Sequence, residues 1–404
     1  MNTRLLDFYK SLDVENQKTE LTITPFEFNT EVDQNGALKA KGLDGVLYDV
    51  HSEAAFYSVV GADNKKYRVF AFIGKPKTPA PKGGYPAIVL AHGGGGISYF
   101  EWVEHWVSRG YVAIAPDLGG HYAKNGLERN IPNEIGSPEG EVMRMGSFFQ
   151  TDDISNSWMY FFTIALGTAI NALGEYAEIN SEKVALAGIS WGGVLSLHLA
   201  GVEPRFKAIS VIYSSAYITY TSWAMDAYNI KSLTETQLAI YREYLDPSAS
   251  IAHITQPILF TAGMDDHAFT ALNRNATTEK IQAQKMFALK PHFVHGHWEG
   301  WTPMESYLFT DAVFGVGPAI PSISLEAQDG VVQIEMQEDS AIEQVYVCYT
   351  TEPLDRQVNQ AYEETKVTFV DGKCVFELPQ GATACFARYV MKDGATFSTN
   401  VKIL

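Results

Sequence analysis

The stretch KVALAGISWGGVLSLHLAG, Lys183–Gly201, reads as a strand, a sharp turn and a helix in direct succession. Lys183–Ile189 is an apolar run of strand length, and the segment after Gly193 has the make-up of a buried helix. Between them lies G-x-S-x-G, here Gly188-Ile189-Ser190-Trp191-Gly192. As a bare pattern this is weak. Its setting gives it weight: the strand delivers Ser190 to a tight turn, small residues on both sides let strand and helix approach, and the hydroxyl is thrust out of the sheet.

Working outward, similar apolar runs alternate with helix-like segments. Tyr67–Ile73, Ala87–Gly96, Tyr111–Asp117, Lys207–Tyr213, Pro257–Gly263 and Lys285–Phe293 read as further strands. Runs that are apolar throughout, rather than alternating, suit strands buried on both faces of a parallel sheet. FEWVEHWVSRG, VLSLHLAG and TETQLAIYREYL are helix candidates between them. The expected fold is α/β, with a mostly parallel central sheet and helices on both faces. Trp158–Gly174 is the longest apolar stretch, but it contains Thr163, Thr168 and Asn171 and has acidic flanks, so a helix inside the domain is expected rather than a bilayer span.

Three segments fall outside this pattern. Residues 1–60 are mixed and polar, and read as an N-terminal extension packed on the core, with the catalytic domain over 61–316. Two insertions, Asp117–Asp152 and Tyr213–Gln256, follow strand ends where lids and substrate walls sit. The second carries Tyr213, Tyr217 and Trp223, which we read as a pocket wall. After Gly317-Pro318-Ala319-Ile320-Pro321 the texture changes to short alternating runs with the turn pairs Asp329-Gly330, Asp371-Gly372 and Asp393-Gly394. Residues 321–404 are expected to form a small all-β, Ig-like sandwich.

His92-Gly93-Gly94-Gly95-Gly96 follows the strand AIVLA. A tetrahedral intermediate places negative charge on a former carbonyl oxygen, and preorganised backbone N–H groups stabilise it. The expected donors are the N–H of Trp191, after the serine, and one from Gly94 or Gly95. The loop is neither G-x-G-x-x-G nor a Walker sequence, which argues against a nucleotide phosphate. His92 reads as a brace for the loop. A serine hydroxyl also needs an imidazole to take its proton and a carboxylate to orient that imidazole. Acids and histidines stand after Ser190 in the required order: Met264-Asp265-Asp266-His267 and His295-Gly296-His297. Adjacency leaves Asp265 against Asp266, and His295 against His297, open. A metal site drawn from the same acids and histidines is conceivable, but the serine turn argues for nucleophilic catalysis.

With these residues in place, the chain resembles the α/β-hydrolase esterases, in particular the acetyl-xylan-esterase and dienelactone-hydrolase-like branch of bacteria. The resemblance spans about Tyr67–Phe314 and rests on AHGGGGISYFEWVEHWVSRGYVAIAPDLGGH, VALAGISWGG, FTAGMDDHAF and FVHGH. In such proteins the acid stands three positions after a glycine, as Asp266 does after Gly263, and the base is the first histidine of a His-Gly pair, as His295 is. The resemblance thus implies Ser190, Asp266 and His295 as the triad, with Trp191, Gly94 and Gly95 at the oxyanion. It implies a small-molecule ester substrate, such as an acylated carbohydrate, and neither a metal nor an organic cofactor. Dienelactone hydrolases proper use cysteine where this chain has Ser190, which favours the esterase side. Two other readings use the same residues: a serine peptidase of the prolyl-oligopeptidase type, or a carbohydrate-binding protein with a decayed hydrolase domain.

Composition narrows the partners. Net charge is −17 over 404 residues, so a nucleic acid or an anionic membrane would be repelled, and a neutral ester is preferred to an anionic one. Three cysteines, Cys348, Cys374 and Cys385, are too few for a disulfide framework and read as reduced thiols. The first residues hold no apolar core of signal-peptide length, so the expectation is a cytoplasmic protein, or a secreted one with its signal peptide already removed. Nothing in the sequence specifies an oligomeric state.

Overall fold

The computed structural model describes residues 3–119, 121–124, 128–132, 141–142, 149–336, 341–355 and 360–404. The chain divides into two compact units, Met1–Ala208 with Leu233–His253, and Ile209–Ser232 with Ile254–Leu404. Much of the insertion expected to form a lid between Asp117 and Asp152 lies outside the described residues.

In the first unit the strand order is Thr22–Thr24, Ser52–Val60, Lys66–Gly74, Val112–Pro116, Tyr85–Ala91 and Ile179–Ile189. Tyr85–Ala91 runs parallel to both of its neighbours, while the strands from Thr22 to Gly74 are antiparallel additions. Val112–Pro116 is buried at every residue and Tyr85–Ala91 at all but one. Both faces of these strands are therefore covered, which is why their sequences are apolar throughout. The helices Phe100–Val107, Trp158–Tyr176 and Trp191–Ala200 carry the buried residues of the intervening segments. Among the described residues, no helix is long and apolar enough to cross a membrane.

In the second unit Ala208–Ile212, Ile258–Gly263 and Lys285–Lys290 run parallel. Thr396–Ser398 joins Lys285–Lys290 antiparallel through Phe287 and Ser398, and the sheet continues with Ala384–Met391, Ile342–Thr350 and Glu363–Val367. Three more strands, Ile323–Gln328, Val331–Met336 and Lys373–Glu377, form a separate antiparallel sheet. Tyr349 of the first sheet stacks on Phe376 of the second at 6.2 Å. Two of the three Asp-Gly pairs do what their composition requires, and in the third only Gly394 has a positive φ. Asp329 and Gly330 have φ of 51° and 79°, and Asp371 and Gly372 have 49° and 75°, the paired positive values of a two-residue hairpin turn. All three cysteines are unbridged and buried.

The N-terminal segment combines strand pairing with side-chain anchors. Ser52–Val60 pairs with Lys66–Gly74 from Ser52↔Gly74 to Val60↔Lys66, so the sheet begins inside it. The rest is held by side chains reaching backbone. Gln17 takes the place of a strand partner for Val60, donating to its carbonyl at 3.0 Å and accepting from its N–H at 2.8 Å. Asn171, the polar interruption in the long apolar helix, donates to the carbonyls of Val14 and Gln17 at 2.9 Å. Glu101 accepts the Leu43 N–H at 2.7 Å and is 1% exposed.

Burial raises the Glu101 carboxyl from its ordinary 4.5 to about 7, with the Leu43 N–H opposing the rise and Asp44 adding to it. The native state then keeps a proton that the unfolded chain has lost, so stability falls as pH rises from about 4.5 to about 7 and stays low above that. Glu101→Gln removes the titration while keeping an acceptor for Leu43. Thermal melts from pH 4 to 9 should show the variant gaining on the native protein by up to about 3 kcal/mol across that window. Parallel curves would contradict the assignment.

Candidate active site

Ser190 ends the strand Ile179–Ile189 and caps the helix Trp191–Ala200 with φ 55° and ψ −116°. That conformation is costly for a residue with a Cβ, and such strain is typically held at functional positions by surrounding structure. The glycines of the motif supply the holding. A Cβ on Gly188 would overlap the Gly192 carbonyl, and one on Gly192 would overlap the Ala91 carbonyl at the end of a neighbouring parallel strand. Backbone therefore packs on backbone on both sides of the serine. The hydroxyl sits at the N-terminus of a ten-residue helix, whose unpaired N–H groups favour negative charge.

The glycine loop comes to the same place. The Gly96 N–H donates to the Gly93 carbonyl at 3.1 Å, closing a turn with Gly94 and Gly95 at its centre and Gly95 at φ 68°. A Cβ on Gly94 would lie 2.5 Å from Cδ1 of Trp191, so only glycine lets the turn rest on the indole next to the serine. Trp191 is itself wedged between Trp158 and Phe149, ring centroids 5.5 and 5.9 Å away. His92 braces the turn from below. Its Nε2 accepts the Leu118 N–H at 2.7 Å, leaving Nδ1 to donate to the Gly93 carbonyl at 2.7 Å.

In the second unit the turn after Ile258–Gly263 separates the two candidate acids. Asp266 is buried. One of its oxygens accepts the N–H groups of Ala268 at 2.7 Å and Phe269 at 3.0 Å, and the other meets His295 Nδ1 at 2.8 Å. Burial opposes its charge, but the His295 bond and charge together with the two N–H donors prevail and hold the carboxyl below its ordinary range. Asp265 faces outward and pairs with exposed His292 at 3.0 Å. With Nδ1 given to Asp266, His295 has Nε2 as the ring atom that takes a proton. His297 opens the short helix Trp301 closes, two residues further on.

The aromatic residues divide differently from the sequence reading. Tyr213 has no exposed surface: it stacks on the His295 ring at 4.7 Å and donates its hydroxyl to the Val294 carbonyl at 2.6 Å. Packed in this way, it restricts the imidazole. Trp223 is half-buried and packs on Phe269 at 5.9 Å, and Phe269 in turn stacks on His295 at 6.1 Å. Tyr217 is half-buried with φ 61°. Phe269, three residues after Asp266, carries no separate signal in the sequence. Asp266, His267 and His295 also have ligand atoms within 4.8 Å of one another. Both Asp266 oxygens are already acceptors, however, so the set is built as an acid–imidazole pair.

Parallel strands carrying a serine elbow, a glycine turn beside it and an Asp–His pair on the later loops define the α/β-hydrolase class. The dienelactone hydrolase family matches residues 69–298, and the chain belongs to that family. Acetyl esterase Axe7A of Xylanibacter ruminicola is 22% identical over 246 residues, 58% of this chain and 54% of its own. The chain thus spans about half the length of that curated relative. Among solved structures, an acetyl xylan esterase from Paenibacillus sp. R4 shares the fold with a TM-score of 0.53 and 17% identity, covering 73% of this chain and 90% of the other. Acetyl xylan esterase 1 from Thermoanaerobacterium sp. JW/SL YS485 gives 0.54 and 18%, covering 76% and 93%.

The Asp266–His295 bond predicts a proton resonance of His295 Nδ1 far downfield of the backbone amides. Asp266→Asn should abolish it and Asp265→Asn should leave it in place. The opposite ranking would move the acid by one residue.

Proposed function

We propose that this protein is a serine carboxylic-ester hydrolase that works through an acyl-enzyme on small or acetylated carbohydrate esters. Ser190 is the nucleophile, His295 the base and Asp266 the acid that orients it. The Ser190 oxygen attacks the ester carbonyl as its proton passes to His295 Nε2. Negative charge develops on the former carbonyl oxygen, where the Trp191 N–H and a donor from the Gly94–Gly95 turn stabilise it at the positive end of a helix. The intermediate collapses, the alcohol leaves with the proton from His295, and the acyl group stays on Ser190. Water then attacks, His295 takes its proton, and the carboxylic acid and free serine are released. Asp266 remains a carboxylate throughout and stabilises the imidazolium.

The observation that carries this reading is the backbone of Ser190, φ 55° and ψ −116°, in a chain where the hydrogen-bonded Asp266 and His295 follow in the order the class requires. A serine with only a packing role would have no reason to be kept in a conformation that only glycine adopts without cost. The substrate class rests on three supports. The matched relatives are named as acetyl and acetyl xylan esterases, the net charge of −17 disfavours anionic esters, and position 190 is a serine.

Ser190→Ala should lower turnover of p-nitrophenyl acetate by at least about ten-thousandfold with the circular dichroism spectrum unchanged, because triad members act as a unit. Comparable activity in that variant would eliminate the assignment. In the native protein, acetylated xylo-oligosaccharides should be deacetylated and an aminoacyl-nitroanilide left intact; the reverse preference would make it a peptidase.

A further inference from the structure

The helix Ala271–Lys280, ALNRNATTEK, is polar in sequence, yet Asn273, Arg274, Asn275, Thr277 and Thr278 are buried on it. The C-terminal segment covers it: Asn275 Nδ2 donates to the Val401 carbonyl at 3.0 Å, and Asn400 Nδ2 donates to Thr278 Oγ1 at 3.2 Å. Arg274 has no exposed surface. Its Nη2 lies 3.2 Å from Met264 Sδ, against the turn that ends in Asp266, while Nε and Nη1 meet no hydrogen-bond partner among the described residues. The hydroxyl of buried Tyr362, which precedes the strand Glu363–Val367, is likewise unpartnered there.

Burying a guanidinium with two of its three nitrogens unpartnered is expensive unless an opposite charge answers it. Burial pulls Arg274 down to about 10, with Asp266 and then Tyr362 acting in the other direction. It therefore stays a cation at neutral pH. Asp266 is the charged group that opposes it.

We propose that Arg274 is a positioning residue for the triad: its guanidinium is the fixed counter-charge of the Asp266 carboxylate, kept dry by Tyr362 and the C-terminal strands, and it acts through Asp266 on His295. The proposal rests on the acid and base assignment above. It gives the C-terminal module a task, that of sealing the charge behind the acid. Asp266 then answers two positive charges whenever His295 is protonated. Arg274 weakens the pull of Asp266 on the imidazolium, so His295 loses its proton at lower pH and serves as a base further into the acid range.

The other groups facing this cluster do not mimic the effect. Tyr213, stacked on His295, is held neutral by burial, with Glu299 and Asp266 adding to the rise. His267 lies 5.0 Å from His295 but is exposed, and Asp265 and His292 pair with each other at the surface. Burial also raises Tyr362 and the thiols of Cys348 and Cys385, leaving all three uncharged.

The test is the pH profile of kcat/KM for p-nitrophenyl acetate in the native protein, Arg274→Gln and Arg274→Lys. The glutamine variant should move the acid limb upward by roughly half a unit to one unit, whereas lysine should keep it in place. A folded glutamine variant with an unmoved limb would overturn the proposal, whatever its kcat. Should glutamine prevent folding, the neutral Arg274→Met is read in its place: an upward-moved limb supports the counter-charge role, and an unmoved one overturns it. Retained turnover in Ser190→Ala would instead defeat the esterase reading itself, so the two failures are distinct.

Discussion

The structure depends on a serine forced into a backbone conformation that serine disfavours. Ser190 can hold φ 55° only because Gly188 and Gly192 let a strand, a helix and the next strand's last carbonyl meet without side chains between them. The local conformational cost, of order 1–3 kcal/mol, is met by the tertiary packing around it. The long buried strands and the helix Trp191–Ala200 supply that packing. In return the hydroxyl is presented at a helix N-terminus beside a glycine turn, with few internal degrees of freedom left to lose when a substrate arrives.

The proposed acid and base obey a second constraint, that of burying charge. Asp266 is nearly fully buried and still held in its charged form by His295 and two backbone N–H groups. Tyr213 and Phe269 clamp the imidazole from neighbouring positions, so the Asp–His bond is set by rings that have little freedom. Arg274 extends the same electrostatics one layer further from the ligand. On this view the C-terminal strands contribute to the dielectric environment of the site, a role that surface-binding modules do not require.

Much of this was legible in the sequence, and the reasons differ by residue. The central strands announced themselves because burial on both faces demands unbroken apolar runs, and the Asp-Gly turns because two successive positive φ values admit few residues. The elbow and the glycine turn were visible because close backbone approach requires glycine. Asp265 and Asp266 could not be separated, since one residue along a turn decides which side chain faces inward. Ser52–Val60 was hidden because Ser52, Glu53 and Ser58 break its apolar run. Gln17, Glu101 and Asn171 were hidden because their partners lie far along the chain. Arg274 was hidden most completely: a helix reading ALNRNATTEK suggests a solvated face, and only the strands packed over it make its polarity a buried cluster.

The central claim is that position 190 bears the activated nucleophile. Treatment of the native protein with a fluorophosphonate, followed by peptide mapping, tests it most directly. The account predicts a single phosphonylated residue, Ser190, whose labelling is lost when His295 is replaced by glutamine. Label on another residue, or undiminished labelling of Ser190 without that imidazole, would contradict it.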